Sequence, residues 1–472
     1  MMGSNILVQI LSSLAGSIIT FFTLSLSARL FGPSILGNLA FVMSLFGLIF
    51  AFSDLGFSRA HVHFTASLKK PSKTLGTFIR IKIVLLSLTG LLATMLGLAK
   101  TSSFKGLFIL MLIYQISSRL AEAALITFEG LQASIPQNTI RLTSKAFRLL
   151  AVIVLGYRLK NNFGYSLTFL AESLSLVILS FIIIRRFKPL KYSKILAQKY
   201  LKYSLPFFAI FPLSYFLDHG VVVILKNLST TTQVGYFSAS QNLAGFAKSL
   251  VGSVMIFFFP QISKLFSKKD HQSIQKYLNL TLKYLLLLMT PFLMLLFLLR
   301  REIISLILGA QFSQAVPVFS LFLLGTYLLM ILAPYDQVLF ATQNHQPLIY
   351  ANLISLIIAL TSSYFLVPIL DSQGAVLSII FAWIINGIWH LWLIKKRLKM
   401  TIMPQIFKFI IPALLLLILS EMIMNFYNLT LVIKLLITLI SLSLYLVFLY
   451  SFKVFNKKDI NYFINLIPFA RK

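Results

Sequence analysis

The chain has no cysteine in 472 residues, and only 11 acidic residues stand against 42 lysines and arginines. Without cysteine there is no disulfide, no thiolate nucleophile and no thiolate metal ligand. No Gly-Lys dipeptide occurs, which excludes a Walker A loop and ATP hydrolysis by this chain. Charged residues make up 11% of the sequence, against about 25% in ordinary soluble proteins, and no stretch is polar enough for a soluble domain. His61 and His63, two apart, are poorly spaced for one helix face and read as interfacial histidines rather than metal ligands. No metal and no cofactor is expected.

What remains is apolar. Hydrophobic residues make up 58% of the chain, gathered into spans at 8–28, 38–60, 78–99, 106–127, 140–157, 163–184, 204–225, 234–258, 281–299, 315–335, 347–368, 374–394, 405–425 and 431–452. Each suits the roughly 20 residues a helix needs to cross a bilayer. The first lacks a basic leader and a convincing cleavage site, so it reads as a span and not a signal peptide. The fold class is all-α integral membrane, with about fourteen transmembrane helices and short loops. Such a protein works inside the bilayer, which points to moving something across it.

A net charge of +31 would suggest nucleic acid in a soluble protein, but its distribution excludes that partner. Basic residues crowd alternate connections: Lys69, Lys70 and Lys73; Arg185 to Lys202; Lys264 to Lys276; Lys395 to Lys399; and the C-terminal tail. The intervening connections hold few, among them Arg29, Lys100, Arg158 and Arg300. The positive-inside rule then places both termini in the cytoplasm and the chain in the cell membrane. The basic loops face anionic membrane lipids. Stretches 185–202 and 264–283 also read as amphipathic interfacial helices.

The halves echo one another. Leu36-Gly37 at the start of the second span matches Val234-Gly235 at the start of the eighth, and Phe163-Gly164-Tyr165 matches Gln373-Gly374-Ala375. Repeats six spans apart are parallel, so two six-helix lobes are expected, at 1–200 and 201–400. The two extra helices and cytoplasmic tail occupy 401–472. Halves of this kind enclose a substrate path and rock around it.

The stretches 28–37 (ARLFGPSILG), 53–58 (SDLGFS), 232–239 (TQVGYFSA), 259–263 (FPQIS) and 308–312 (LGAQF) carry a resemblance over nearly the full length. The chain resembles the polysaccharide flippases of the multidrug/oligosaccharidyl-lipid/polysaccharide exporter superfamily. The resemblance implies flipping of a polyprenyl-diphosphate-linked oligosaccharide, the repeat unit of an O-antigen, capsule or related polymer. It implies a cavity between two lobes, with a polymerase and glycosyltransferases as partners in the same pathway.

A charge at a helix centre costs about 2.5–3.5 kcal/mol, so embedded charges face a cavity or a partner. Arg119 and Glu122 are three apart on one face of the fourth span, either a cavity wall or a pair that neutralises itself. Glu129 and Arg141 flank the next turn and read as interfacial. Lys248 lies deep in the eighth span with Asn242 before it and no acid in that helix. A lone buried ammonium wants an anion; a lipid diphosphate is one, and Asp218 in the seventh span is another. The resemblance places Lys248 in the central cavity, and Arg29, Asp54 and Arg59 on cavity-lining helices of the other lobe. Arg29 and Asp54 are otherwise interfacial groups. Lys145 and Arg148 are like charges three apart, one of them within reach of Glu172. His219, beside Asp218, is a candidate proton carrier.

The expected substrate-binding residues are thus Lys248, Arg59, Arg119, Arg29, Arg148 and Asn242. Glu122, Asp218, Asp54 and Glu172 are the charge partners or coupling groups. A lipid II flippase or a multidrug cation antiporter of the same superfamily is the nearest alternative, although the first span has no acid to bind a cation. A polytopic glycosyltransferase or polymerase would need an acid in an early outer loop, or a long outer loop, and neither is present.

Overall fold

The computed structural model describes residues 2–68, 70–100, 105–131, 133–187, 191–205, 208, 210–341, 346–401, 403, 406–426 and 429–454. Lys69, Lys188 and the basic tail beyond 454 lie outside the described residues. The helices are α1 (Met2–Phe50), α2 (Phe57–Leu68), α3 (Pro71–Lys100), α4 (Lys105–Gly130), α5 (Ser134–Arg158), α6 (Asn162–Ile184), α7 (Lys194–Ser204) and α8 (Ile210–Leu228). They continue as α9 (Thr231–Ser267), α10 (His271–Leu298), α11 (Arg300–Ile307), α12 (Val316–Ala341), α13 (Gln346–Leu393), α14 (Ile406–Phe426) and α15 (Leu431–Ser451). No strand occurs among the described residues.

Among the described residues ten segments are long and apolar enough to cross a membrane. At 49 and 48 residues, α1 and α13 would each extend about 70 Å, more than twice a bilayer core of about 30 Å. Each is broken near its middle, α1 at Gly32 (φ 77°) and α13 at Asp371 (φ 49°), and each supplies two crossings. With α5 and α8, which fall on the fifth and seventh expected spans, the helices account for fourteen. Embedded charge separates α5 from the apolar spans: it carries Arg141, Lys145 and Arg148.

Between the spans lie short helices. α7 lies where an interfacial helix is expected, burying Leu196 and Tyr200 and capped by Ser193, which accepts from the Leu196 amide. The stretch 264–283 is not a separate interfacial helix. Lys269 turns the chain at φ 55°, and Asp270 caps α10 by accepting from the Ser273 amide at 3.0 Å, so this stretch is the end of one span and the start of the next. His61 also departs from expectation. It is fully buried, with Nδ1 2.8 Å from the Tyr200 hydroxyl and Nε2 2.8 Å from the Thr127 hydroxyl, so it ties α2 to α4 and α7. His63 is exposed and stacks on Tyr203.

The chain divides into two compact units. One comprises Met1–Leu243, Ile307–Val318 and Asn352–Ala382; the other comprises Ala244–Leu306, Phe319–Ala351 and Trp383–Lys472. In the first, α1 packs on α5 and α8, and α6 on α4 and α5. In the second, α14 and α15 pack on each other and on α10. Ion pairs hold this hairpin: Arg300 grips Glu421 with two nitrogens at 2.5 and 2.7 Å, and Lys434 meets Glu302 at 2.6 Å. The two-pronged arginine–carboxylate geometry fixes orientation as well as distance.

Three stretches of the first unit converge around the break in α1. Pro33 has no N–H to offer the Arg29 carbonyl, and Gly32 supplies the positive φ that the break requires. Gln311 fills the vacancy, donating to the carbonyls of Ala28 at 2.6 Å and Arg29 at 3.3 Å. Ser25 donates to the Ile307 carbonyl at 2.6 Å, and the Ser34 and Thr231 hydroxyls lie 3.4 Å apart. At the break in α13, Asp371 accepts from Ser229 and Ser372 donates to Gln233, both at 2.5 Å. Gly37 and Gly235, equivalent positions in the sequence repeat, meet here. A Cβ on Gly37 would overlap the Thr231 carbonyl and sit 2.8 Å from the Gly235 nitrogen; one on Gly235 would overlap the Pro33 carbonyl. This hydrogen-bonded junction joins connections that are poor in lysine and arginine.

Candidate functional site

A cavity of about 340 Å³ opens in the first unit between α4, α5, α6 and α8. Residues midway along α4 form one wall: Tyr114, Gln115, Ser118, Arg119 and Glu122. Arg141 and Lys145 enter from α5, Glu172 and Ser173 from α6, and Tyr215 from α8. The helical spacing explains the wall. Positions 115, 118, 119 and 122 recur at three and four residues, so they share one face.

Arg119 and Glu122 do not neutralise each other. Glu122 accepts from Arg141 instead, so Arg141 turns into the cavity rather than lying at the interface, while Glu129 is exposed. Arg119 Nε donates to the Gln115 side chain at 3.3 Å and its NH1 to the Ser53 hydroxyl at 3.1 Å. Its guanidinium also bonds Tyr215 and lies 5.2 Å from the centre of the Phe50 ring. These partners are neutral; they orient the guanidinium without cancelling its charge. Lys145 Nζ lies 3.4 Å from the Gly16 carbonyl. Among the described residues neither Arg119 nor Lys145 forms an ion pair, so both leave positive charge facing the cavity.

Behind the cavity, Arg148 donates to Glu172 at 3.2 Å and stacks on Phe169 at 3.5 Å. Its charge is spent on the fold. Asp54 is no free interfacial acid: it accepts from Lys82 and from Ser58. Lys82 is only 5% exposed and also lies 3.4 Å from the Ser53 carbonyl. Ser53 thereby links the Arg119 cavity to the Asp54–Lys82 pair.

The remaining candidates lie elsewhere. Lys248 is exposed rather than buried, its ammonium 5.8 Å from the centre of the Trp383 ring. The α9 side chains around it are small or apolar and its ammonium is accessible, so burial gives it no need of an anion. Asn242 donates to the Ser238 carbonyl one turn back at 2.8 Å. Arg29 is exposed, its Nε 3.4 Å from the Ile307 carbonyl. Arg59 is exposed near the start of α2. Asp218 is exposed on α8; the neighbouring His219 has Nδ1 3.4 Å from the Ser44 hydroxyl. Among the described residues no group of three or more His, Asp or Glu could hold a metal ion.

Sequence reasoning passed over Lys82, although a lone lysine within an apolar span is the same signal that drew attention to Lys248. It passed over the Asp336–His390 pair because the two residues are 54 positions apart. Gln311 was legible only as part of the stretch 308–312 that carries the resemblance.

The cavity-lining residues and the Gly37–Gly235 contact fall within residues 26–317, the region matched by the family of polysaccharide biosynthesis proteins. The chain belongs to that family. Among solved structures, this polysaccharide biosynthesis protein is similar to the lipid II flippase MurJ in an inward closed conformation. That match has a TM-score of 0.73 at 18% identity and covers 95% of this chain and 100% of that one. An inward-facing multidrug resistance MATE transporter of the MOP superfamily matches at a TM-score of 0.59 and 13% identity, over 81% and 94% of the chains. The Vibrio cholerae MATE transporter VcmN in its bent form matches at 0.52 and 15%, over 84% and 98%. At these identities the likeness is one of fold, and the fold is that of the MOP transporters. No curated protein matches the sequence.

Proposed function

We propose that this protein flips polyprenyl-diphosphate-linked oligosaccharide from the cytoplasmic to the outer leaflet of the cell membrane by alternating access, for surface polysaccharide biosynthesis. The observation that carries the reading is the pair of cavity cations, Arg119 and Lys145, oriented by neutral partners while the acids beside them are engaged by Arg141 and Arg148. A planar guanidinium donating to phosphate oxygens suits a diphosphate, and sugars beyond it need no charge complement. An antiporter for cations would want the reverse, acids left open. Moving negative charge outward from a negative interior is favoured by about 2.3 kcal/mol per charge per 100 mV, so the step needs no ATP.

In this reading the basic loops and both termini are cytoplasmic, and residues 1–200 and 201–400 act as two lobes followed by the helices of 401–472. The junction at Gly37 and Gly235 is the closed outer gate. Arg59 serves the approaching head group, with Arg119 at the terminus of its path. A polymerase and glycosyltransferases work on either side of the flipping step.

The test is reconstitution of the purified protein in vesicles carrying a polyprenyl-diphosphate oligosaccharide, with a membrane-impermeant lectin reporting its leaflet. Wild-type protein should move the glycan across the bilayer and R119Q should not. Equal movement by both would sink the role given to Arg119, and no movement by either would remove this cargo.

A further inference from the structure

The second unit holds a smaller cavity, of about 210 Å³, that the flipping reading does not use. Phe266 of α9, Leu339 of α12, Leu348 near the start of α13 and Leu393 at its end line it, together with Arg397. Every lining residue but Arg397 is apolar, and Leu339, Leu348 and Leu393 are 5% exposed or less. The chain leaves α13 through a π-helical turn, Ile394–Leu398, and stops at Lys399 (φ 52°). This wider turn, of a kind that recurs at functional positions, brings Arg397 to the same cavity as Leu393. Arg397 takes part in none of the ion pairs among the described residues.

The segments that meet here are the ends of the eighth, tenth and twelfth crossings and the start of the eleventh, so they share one membrane face. That face is basic. Lys264, Lys268 and Lys269 at the end of α9, and Lys395, Lys396 and Lys399 beside Arg397, are all exposed, and residues 264–269 and 394–399 contain no acid. Two aromatic residues mark its depth. Tyr350, one turn into α13, is 61% exposed, and Trp392 is 47% exposed with the Lys396 ammonium 4.5 Å from its ring centre. Exposed tyrosine and tryptophan gather at the level of lipid head groups. An apolar cavity at that depth, with an arginine on its wall, matches a molecule that carries both an alkyl chain and a phosphate. We propose that this cavity binds an anionic phospholipid, one acyl chain lying against Leu339, Leu348 and Leu393 and the phosphate accepting from the Arg397 guanidinium. The volume is below the roughly 300–1,000 Å³ of drug-sized sites, which suits a slender chain rather than a ring system. The lysines gather anionic lipid at the rim, and the planar donor fork of Arg397 adds a directed contact to phosphate. A zwitterionic lipid offers the same phosphate but brings a cation that this rim has no acid to receive. The C-terminal tail is a poor occupant, since beyond 454 its Lys457, Lys458, Arg471 and Lys472 outnumber Asp459 and share the sign of the rim. The site has no residue in common with the Arg119 cavity, and its ligand is a lipid of the bilayer rather than the cargo.

The test places the full-length protein in phosphatidylcholine vesicles doped with a phosphatidylglycerol whose acyl chain carries a diazirine. After irradiation, peptide mass spectrometry reads which residues are labelled. Bulk lipid labels outward residues such as Val432 and Leu439, 66% and 58% exposed, whatever its head group, and it does not reach Leu339 or Leu348. Phosphatidylglycerol should label Leu339 and Leu348 relative to those references, and a phosphatidylcholine with the same diazirine chain should label them far less. R397Q should lower the phosphatidylglycerol labelling about tenfold or more, the loss expected of a hydrogen bond to a charged group, with Val432 and Leu439 unchanged. Arg397 is exposed, so glutamine there removes the charge without opening the core. L348W keeps every rim cation but fills the cavity, and it too should remove the label from Leu339. Cavity labelling that is absent in wild type, equal for the two head groups, or unchanged in R397Q would overturn the site. Labelling of Leu339 that persists in L348W would place the acyl chain elsewhere and overturn it as well.

Discussion

Gly37 and Gly235 meet backbone to backbone, so closely that a Cβ on the first would lie 2.8 Å from the nitrogen of the second and overlap the carbonyl of Thr231. The contact makes closure of this junction depend on two residues that have no side chain. Crowding a packed contact costs about 1–3 kcal/mol, which shifts a two-state equilibrium roughly 5- to 150-fold. G37A and G235A should therefore disfavour the closed junction by that order. The chain has no native cysteine, so S34C with T231C, whose parent hydroxyls are 3.4 Å apart, gives a direct readout. The double-cysteine protein should crosslink readily on oxidation, and adding G37A should slow the reaction. Equal crosslinking with and without G37A would show that the contact does not govern closure.

The Asp54–Lys82 pair, whose lysine is buried, makes a prediction about stability. Removing one member of a buried ion pair leaves an uncompensated charge and costs about 3–5 kcal/mol. D54N leaves Lys82, only 5% exposed, without its carboxylate. D54N should lower the thermal midpoint of the detergent-solubilised protein clearly, and K82M combined with D54N should recover much of the loss. A double variant no better than D54N would mean that the pair is not what holds α3 to the end of α1.

Arg119 and Arg148 should separate function from folding. Arg148 stacks on Phe169 and pairs with Glu172, so R148Q should impair stability first. Arg119 has neutral partners, and its loss should be felt by an anion. A hydrogen bond to a charged group is worth about 1.5–3 kcal/mol, roughly ten- to hundredfold in affinity. R119Q should weaken binding of a polyprenyl diphosphate by that factor while the melting profile stays near wild type. Unchanged binding would remove Arg119 from the site.

His61 gives a pH dependence of known sign. It lies on α2, outside the candidate spans, and burial, reinforced by the Lys82 charge, holds it down to about 3. The unfolded chain binds its proton at about 6.5. Between those values the unfolded state holds a proton that the folded state refuses, so stability is full above about pH 6.5 and falls as the medium is acidified. The melting midpoint should drop on going from pH 7 to pH 5, and H61Q should flatten that slope. A slope unchanged in H61Q would place the acid sensitivity elsewhere.

The spans were legible because bilayer thickness imposes a length on every one of them, and the breaks at Gly32 and Asp371 fall between the first and second and between the eleventh and twelfth. The partners of the embedded charges were not legible. Arg119 and Glu122 share a helix face, yet a residue on the next helix, Arg141, lies nearer to Glu122 than its own neighbour does. Sequence spacing ranks partners within a helix; packing between helices decides among them. Lys248 shows the converse, since depth within an apolar run does not say whether a side chain faces the protein. The repeat glycines Gly37 and Gly235 were visible as equivalent positions, but not as positions in contact.

The central claim is best tested in cells depleted of this protein, by isolating polyprenyl-linked glycans with labelled sugars and asking which leaflet they occupy. Complete, unpolymerised repeat units accumulating on the cytoplasmic leaflet, and cleared by wild-type protein but not by R119Q, are the result predicted. Truncated glycans, or complete ones reaching the outer leaflet at the normal rate, would contradict it.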